Sequence, residues 1–329
     1  MFKQLFAVAG NPVLHSMSPD IFNQYFENKG INAVYLRILA KSAEDALSTA
    51  IKTGFSGINV TAPFKEDSFH LMDETDGHSS NIGAVNTVLL KNGRKLGFNT
   101  DWLGVIEPFR KRNIALTGRK VLIAGAGGAA KAAVYAMIRE KAVITVTNRT
   151  EDKGKNFAEK NGAKFAPLSS IADLMTENEI IISTISGGIN VFSENGFKPH
   201  HIVFDADYHH STVAKAASDK GSAVIPGAEW LLNQAEHSLK LFINDDHIGL
   251  ELPQIRKKKN NIAFIGFTGS GKSSTGKELA KLLDRPLFDT DEFIEQNELM
   301  TISEIFAKKG EPYFRELDRK STRLNSSHT

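Results

Sequence analysis

The chain has 329 residues, 41% of them hydrophobic and 24% charged, with a formal net charge of +2. That length suggests two or three soluble domains, and so small a net charge gives no reason to expect nucleic acid or an anionic membrane as partner. The sequence contains no cysteine, which excludes disulfides, thiol catalysis and cysteine-ligated zinc. No uncharged apolar run approaches the roughly 20 residues that span a bilayer, and Leu5 to Ala9 is too short for the core of a signal peptide. The expectation is a soluble, cytoplasmic protein.

In chain order, Lys3 to Ala9 reads as a buried strand, and Ser18-Pro19 as the cap and first-turn proline of a helix reaching about Lys29. Ser42-Ala-Glu-Asp45 resembles a capping box opening the next helix. Gly57 to Thr61 is a strand, and Asn92-Gly93 joins Ala84 to Leu90 with Lys95 to Phe98 as a hairpin. From Lys120 the pattern is regular, with strands at Lys120–Ala124, Val143–Thr147, Glu179–Ser183, His201–Asp205 and Ser222–Ile225 and helices between them. Such alternation predicts a mostly parallel α/β sheet. An amphipathic helix, Glu229 to Ile243, follows. The charged connector at 256–261 then leads to a new strand, Ile262–Ile265. The polar, aperiodic residues 321–329 interrupt a helical segment and read as a foreign tail.

Gly125-Ala126-Gly127-Gly128-Ala129-Ala130 sits between a strand and a helix, where a dinucleotide phosphate turn belongs. Gly125 permits the tight turn, Gly127 lets the backbone approach the pyrophosphate, and Ala130 supplies the small residue that close helix–strand packing needs. The next strand ends about 20 residues on, where the ribose-reading residue belongs. An NAD site places a carboxylate there. This chain has Asn148-Arg149-Thr150, and an arginine can pair with a 2′-phosphate that a carboxylate would repel, so NADP(H) is expected over NAD.

Four polar constellations precede that turn: Ser16-Met17-Ser18-Pro19, the Asn59 to Lys65 run, Gly83 to Thr87, and Gly97 to Asp101. Together they offer hydroxyls, amides, one cation and one anion, a set suited to a small polyhydroxylated acid. These segments, with the glycine-rich turn and Asn148-Arg149-Thr150, stand in the order found in shikimate dehydrogenases, which the chain resembles over about residues 1 to 250. The resemblance implies a substrate domain formed by 1–101 plus 227–255 and a Rossmann-type NADP-binding domain at 102–226. It implies Lys65 and Asp101 as the catalytic pair. Ser16 and Ser18 would hold the substrate carboxylate, with Thr61, Asn86, Asp101 and Gln234 on the ring hydroxyls, and Tyr208 and Gly227 near the substrate and nicotinamide. An ammonium at the reacting oxygen can stabilise developing charge and donate a proton, so no metal is required. Trp102 stands where the family usually has glycine, which places a bulky ring beside Asp101. Tyr208-His-His-Ser-Thr212 lacks the usual proline, and Ser183 to Gly188 is a loose match. Broader quinate/shikimate specificity is the alternative reading; oligomeric state is not legible.

Gly266 to Ser273 matches G-x-x-x-x-G-K-[ST] after a strand, a phosphate-binding loop. Gly269, Ser270, Gly271, Lys272, Ser273 and Ser274 would hold Mg-ATP, with Ser273 on the magnesium. This part resembles shikimate kinase, which implies that Asp291 and Arg315 would contact shikimate and that Asp289 lies near the metal. Residues 262–320 are short for a domain of this kind, so the expectation is a partial P-loop α/β kinase domain without useful activity, and a bifunctional chain is the alternative.

Overall fold

The structure is a computed structural model describing residues 4–185, 191–192, 196–208, 211–253, 271–282, 284 and 286–327, with backbone only at 272, 282 and 319–327. Residues Met1–Gln254 form one compact unit and Ile255–Thr329 a second.

The first unit holds two sheets. Strands β1 (Gln4–Gly10), β2 (Ala33–Leu39), β3 (Gly57–Val60), β4 (Glu74–Thr75), β5 (Thr87–Lys91) and β6 (Arg94–Phe98) form a sheet of order β2-β1-β3-β5-β6-β4. It is mixed rather than mostly parallel: β1 runs parallel to β2 and β3, but β5 is antiparallel to both β3 and β6. The reversal from β5 to β6 comes from the Asn92-Gly93 turn, whose φ values of 53° and 74° suit the favoured hairpin geometry. Helices α1 (Ser18–Lys29), α2 (Ala43–Thr53), α3 (Lys65–His70) and α4 (Gly77–Ile82) fill the connections. Ser42 caps α2 by accepting from the Asp45 amide, but the Asp45 carboxylate accepts from the Lys41 amide, so the expected reciprocal box is not made. Ser18 does not cap α1 either: Met17 holds the cap position, leaving the Ser18 hydroxyl for other use.

Helix α5 (Asp101–Lys111) crosses to the second sheet, built from β7 (Lys120–Ala124), β8 (Val143–Thr147), β9 (Lys164–Phe165), β10 (Ile180–Ser183), β11 (Ile202–Asp205) and β12 (Ala223–Ile225). All its strands are parallel, in the order β12-β11-β10-β7-β8-β9. This is the doubly wound order with its switch point between β7 and β10, the crevice where such sheets bind ligands. Helices α6 (Gly128–Arg139), α7 (Glu151–Lys160), α8 (Ile171–Glu177) and α9 (Thr212–Asp219) connect the strands.

Helix α10 (Gly227–Ile243) returns to the first sheet. Its Leu231, Ala235, Leu239 and Phe242 join the core made by Phe6, Phe22, Phe26 and Tyr35. Phe242 stacks on Phe6 with ring centroids 4.8 Å apart, and a β-carbon at Gly57 would lie only 2.7 Å from the Phe242 ring. The missing side chain on β3 is therefore what lets α10 lie flat, and burial of one such ring contributes roughly 1.5–3 kcal/mol. No helix among the described residues is long and apolar enough to cross a membrane.

The second unit holds α11 (Lys272–Leu282), α12 (Thr290–Glu298) and α13 (Ile302–Ser327), and α12 and α13 pack around Ile294, Ile305 and Phe314. The expected strand 262–265 and Gly269 and Ser270 of the phosphate loop lie outside the described residues, as does the 256–261 connector. The expectation that 321–329 breaks the helix fails for 321–327, where the backbone stays helical. Polar residues such as serine and asparagine cost a formed helix only about 0.7 kcal/mol each at most, too little to stop it.

Candidate active site

One cavity of about 160 Å³ gathers side chains from both halves of the first unit. Ser16, Ser18, Thr61, Lys65, Asn86, Asp101, Tyr208 and Gln234 all line it, together with Ala129 of the glycine-rich turn. Asn59, Trp230 and Leu231 line it as well. Asn59 has no role assigned by its motif in the sequence, where the signal for it is a strand-end amide beside Thr61.

Lys65 and Asp101 occupy the first positions of α3 and α5, and Lys65 Nζ lies 2.6 Å from Asp101 Oδ2. Their side chains are 18% and 6% exposed. The Asn99 side chain receives the Asp101 amide and donates to the Ala84 carbonyl, which fixes the start of α5. A β-carbon at Gly128 would touch the Lys65 stem at 3.5 Å. The glycine-rich turn and the Lys65 side chain are therefore close neighbours, with room for no more than a small side chain between them.

The polar wall is held by a buried network. Asn86 donates to Thr100 Oγ1 and to Gln234 Oε1, while its own Oδ1 accepts from the Thr100 amide. Asn59 Nδ2 reaches the Asn86 carbonyl, Thr87 Oγ1 and Ser238 Oγ at 3.0–3.1 Å. Ser238, fully buried one turn beyond Gln234, also lies within 3.0 Å of the Thr87 and Thr100 hydroxyls. On the opposite wall the Ser16 hydroxyl donates to Ser18 Oγ at 3.3 Å, and Arg37 donates to the Ser16 carbonyl. The Tyr35 phenol donates to Asn59 Oδ1, and burial holds its pKa well above the ordinary value. Tyr208 is shifted in the same direction, again chiefly by burial.

The dinucleotide turn follows β7. Gly125 has φ +122°, and a β-carbon there would meet the Thr184 hydroxyl. Gly127 caps α6 and faces open space. The backbone can therefore approach an anion at the positive end of a helix of 12 residues. Arg149 and Thr150 are exposed, Asn148 donates to the Thr150 carbonyl, and among the described residues no carboxylate pairs with Arg149. Gly227 opens α10 where a β-carbon would collide with the Asp205 and Asp207 carbonyls.

Two departures from the family pattern find physical accounts. Trp102 does not crowd Asp101. It follows Asp101 on α5 and so points elsewhere, stacking on His78 at 4.6 Å and packing into the apolar core of the second sheet. In the second region Ser211 ties the segment down: its hydroxyl caps α9 and donates to the buried Asp205 carboxylate. Burial raises the Asp205 pKa, so that bond partly offsets a real cost. His209 and His210 lie outside the described residues, as does Ser186 to Gly188.

In the second unit, Ser273 Oγ donates to Asp289 Oδ2 at 3.0 Å, bringing together the two residues expected near magnesium. Asp289 also receives the Asp291 amide. Gly271 has φ +80° and Ser274 is exposed. Arg315 pairs with Glu311 at 3.0 Å on its own helix.

Comparison with known proteins agrees with this architecture. Residues 8–88 match the family model described as shikimate dehydrogenase substrate binding domain, 109–202 the one described as shikimate / quinate 5-dehydrogenase, and 268–328 the one described as shikimate kinase. The last match runs through most of the segment expected to be a foreign tail. Shikimate dehydrogenase (NADP(+)) of Aquifex aeolicus is 34% identical over 250 residues, covering 73% of this chain and 91% of that protein. The crystal structure of the Aquifex aeolicus enzyme superposes with a TM-score of 0.70 at 33% identity, covering 74% of this chain and 94% of its own. The Thermus thermophilus enzyme, solved with NADP(H) and shikimate, gives a TM-score of 0.66 at 28% identity, covering 76% and 95%. On these matches, and on the paired sheets described above, the chain belongs to the shikimate dehydrogenase family.

Proposed function

We propose that this chain catalyses the reversible NADPH-dependent reduction of 3-dehydroshikimate to shikimate. The observation that carries the reading is the 2.6 Å Lys65–Asp101 pair in a cavity shared by the hydroxyl- and amide-bearing walls and the dinucleotide turn. The relatives' NADP(+) naming and the exposed Arg149, without a carboxylate partner among the described residues, support NADP over NAD. Gly125, Ala126, Gly127, Gly128 and Ala129 would cradle the pyrophosphate, and Asn148, Arg149 and Thr150 would surround the 2′-phosphate. When bound, the cofactor supplies the hydride.

The protein's own part is positioning and proton transfer. Ser16 and Ser18 take the carboxylate, while Thr61, Asn86, Gln234 and Tyr208 take ring hydroxyls. The Lys65 ammonium faces the carbonyl oxygen, stabilises the charge that develops there and donates the proton. Asp101 orients the ammonium and accepts from the neighbouring hydroxyl. We parse the first unit as substrate domain 1–101 plus 227–255 around the inserted NADP domain 102–226. Lys65→Ala should lower kcat by about 100- to 10,000-fold, the usual worth of a positioned proton donor, with substrate KM moving far less. A near-normal kcat in steady-state assays would remove Lys65 from the mechanism.

For the second unit, the Ser273–Asp289 contact supports a nucleotide-type loop of the shikimate kinase kind, with Lys272 on the phosphates and Asp291 and Arg315 towards shikimate. No substrate turnover is proposed for it.

A further inference from the structure

Helix α6 carries a stripe of side chains that meets helices α3, α4 and α5. Lys131, Tyr135 and Arg139 recur at every fourth position, so they stand above one another on one face. Each is met by a residue from a different helix. Lys131 Nζ pairs with Glu66 of α3 at 2.7 Å, and the Tyr135 hydroxyl lies 2.8 Å from Nδ1 of His78 on α4. The Arg139 guanidinium lies 5.4 Å from the centre of the Trp102 ring on α5. Trp102 also stacks on His78 and meets Tyr135 edge-on, which joins the last two rungs.

The Lys131–Glu66 rung has the most leverage. Glu66 directly follows Lys65, and Lys131 lies in the first turn of the helix that begins at the dinucleotide turn. A β-carbon at Gly128, three residues earlier, would lie 3.5 Å from the Lys65 stem, so the two segments are close neighbours. A cation in a helix's first turn is unfavourable on its own, and Glu66 offsets that. The ion pair therefore ties the backbone that carries the ammonium to the backbone that carries the phosphate cradle.

We propose that the Lys131–Glu66 and Tyr135–His78 rungs are a zipper between the substrate and dinucleotide domains, and that the Lys131–Glu66 rung positions Lys65 relative to the bound dinucleotide. The proposal rests on the dehydrogenase reading. Lys131 and Glu66 are positioning residues, and their effect belongs in kcat. Lys131→Met and Glu66→Gln should each lower kcat by roughly five- to tenfold, less than the ~100-fold that a 1 Å misplacement can cost. Substrate KM should change little. The double variant should be no slower than either single one, because both remove the same rung, and Lys131→Arg should restore kcat. Hydrogen exchange at residues 65–70 should quicken in both single variants, a readout that needs no turnover. Additive losses in the cycle, or unchanged exchange at 65–70, would overturn the zipper. An inactive wild type would overturn the dehydrogenase reading and leave the exchange measurement to decide the zipper.

Discussion

Lys65 and Asp101 are held together where water is scarce, and such a pair is a poor way to gain stability. The cost of desolvating two charges can match or exceed their attraction, so the pair's persistence points to chemistry. Arg149 makes the opposite case. It is exposed and has no carboxylate partner among the described residues, so its removal should cost the fold little while affecting one ligand. Arg149→Asp should raise the KM for NADPH by roughly 10- to 100-fold, the equivalent of losing a charge-assisted bond of about 1.5–3 kcal/mol. The maximal rate at saturating cofactor should be largely kept. An unchanged KM in initial-rate measurements would show that another group reads the 2′-phosphate. At this scale the sequence was most legible where a short motif carries several contacts. Ser16, Ser18, Thr61 and Asn86 were found because each sits in a recognisable run. Ser238 was not found, since a lone serine on a helix carries no pattern and its importance arises only when β3, β5 and α5 meet it.

At the scale of elements, five parallel strands of the second sheet, β7, β8, β10, β11 and β12, are legible in the sequence to within a residue because buried strands read as unbroken apolar runs. Edge strand β2 was missed: Leu36 and Leu39 are exposed and its burial does not alternate cleanly. The two-residue β4 and β9 are too short to show any period. Trp102 illustrates a different limit, because its position beside Asp101 in sequence says nothing of its direction on α5. Its ring is 7% exposed and packs among α4, α5 and α6. Trp102→Gly should therefore destabilise the protein by about 3–5 kcal/mol, as large-to-small core changes do. The KM for 3-dehydroshikimate should hardly move, since the ring does not line the cavity. Calorimetry together with initial rates separates these effects. An unaltered Tm, or a large rise in KM, would mean that the ring acts on the site and not on the fold.

At the scale of the molecule, the active site is a meeting of segments far apart in sequence: the ends of β1 and β3, the starts of α3 and α5, the turn after β7, the loop after β11, and the middle of α10. Each segment is visible in the sequence as a motif or an apolar period. That they converge on one cavity depends on the doubly wound order of the second sheet and on the return of α10 to the first. Non-local pairing of that kind leaves no local signature, and here family resemblance supplied it in advance. Dehydrogenase activity is measured by following NADPH oxidation by the purified full chain in the presence of 3-dehydroshikimate, with NADH in parallel. The expected result is oxidation that depends on 3-dehydroshikimate and is markedly faster with NADPH. Absence of substrate-dependent oxidation, or a clear preference for NADH, would contradict it.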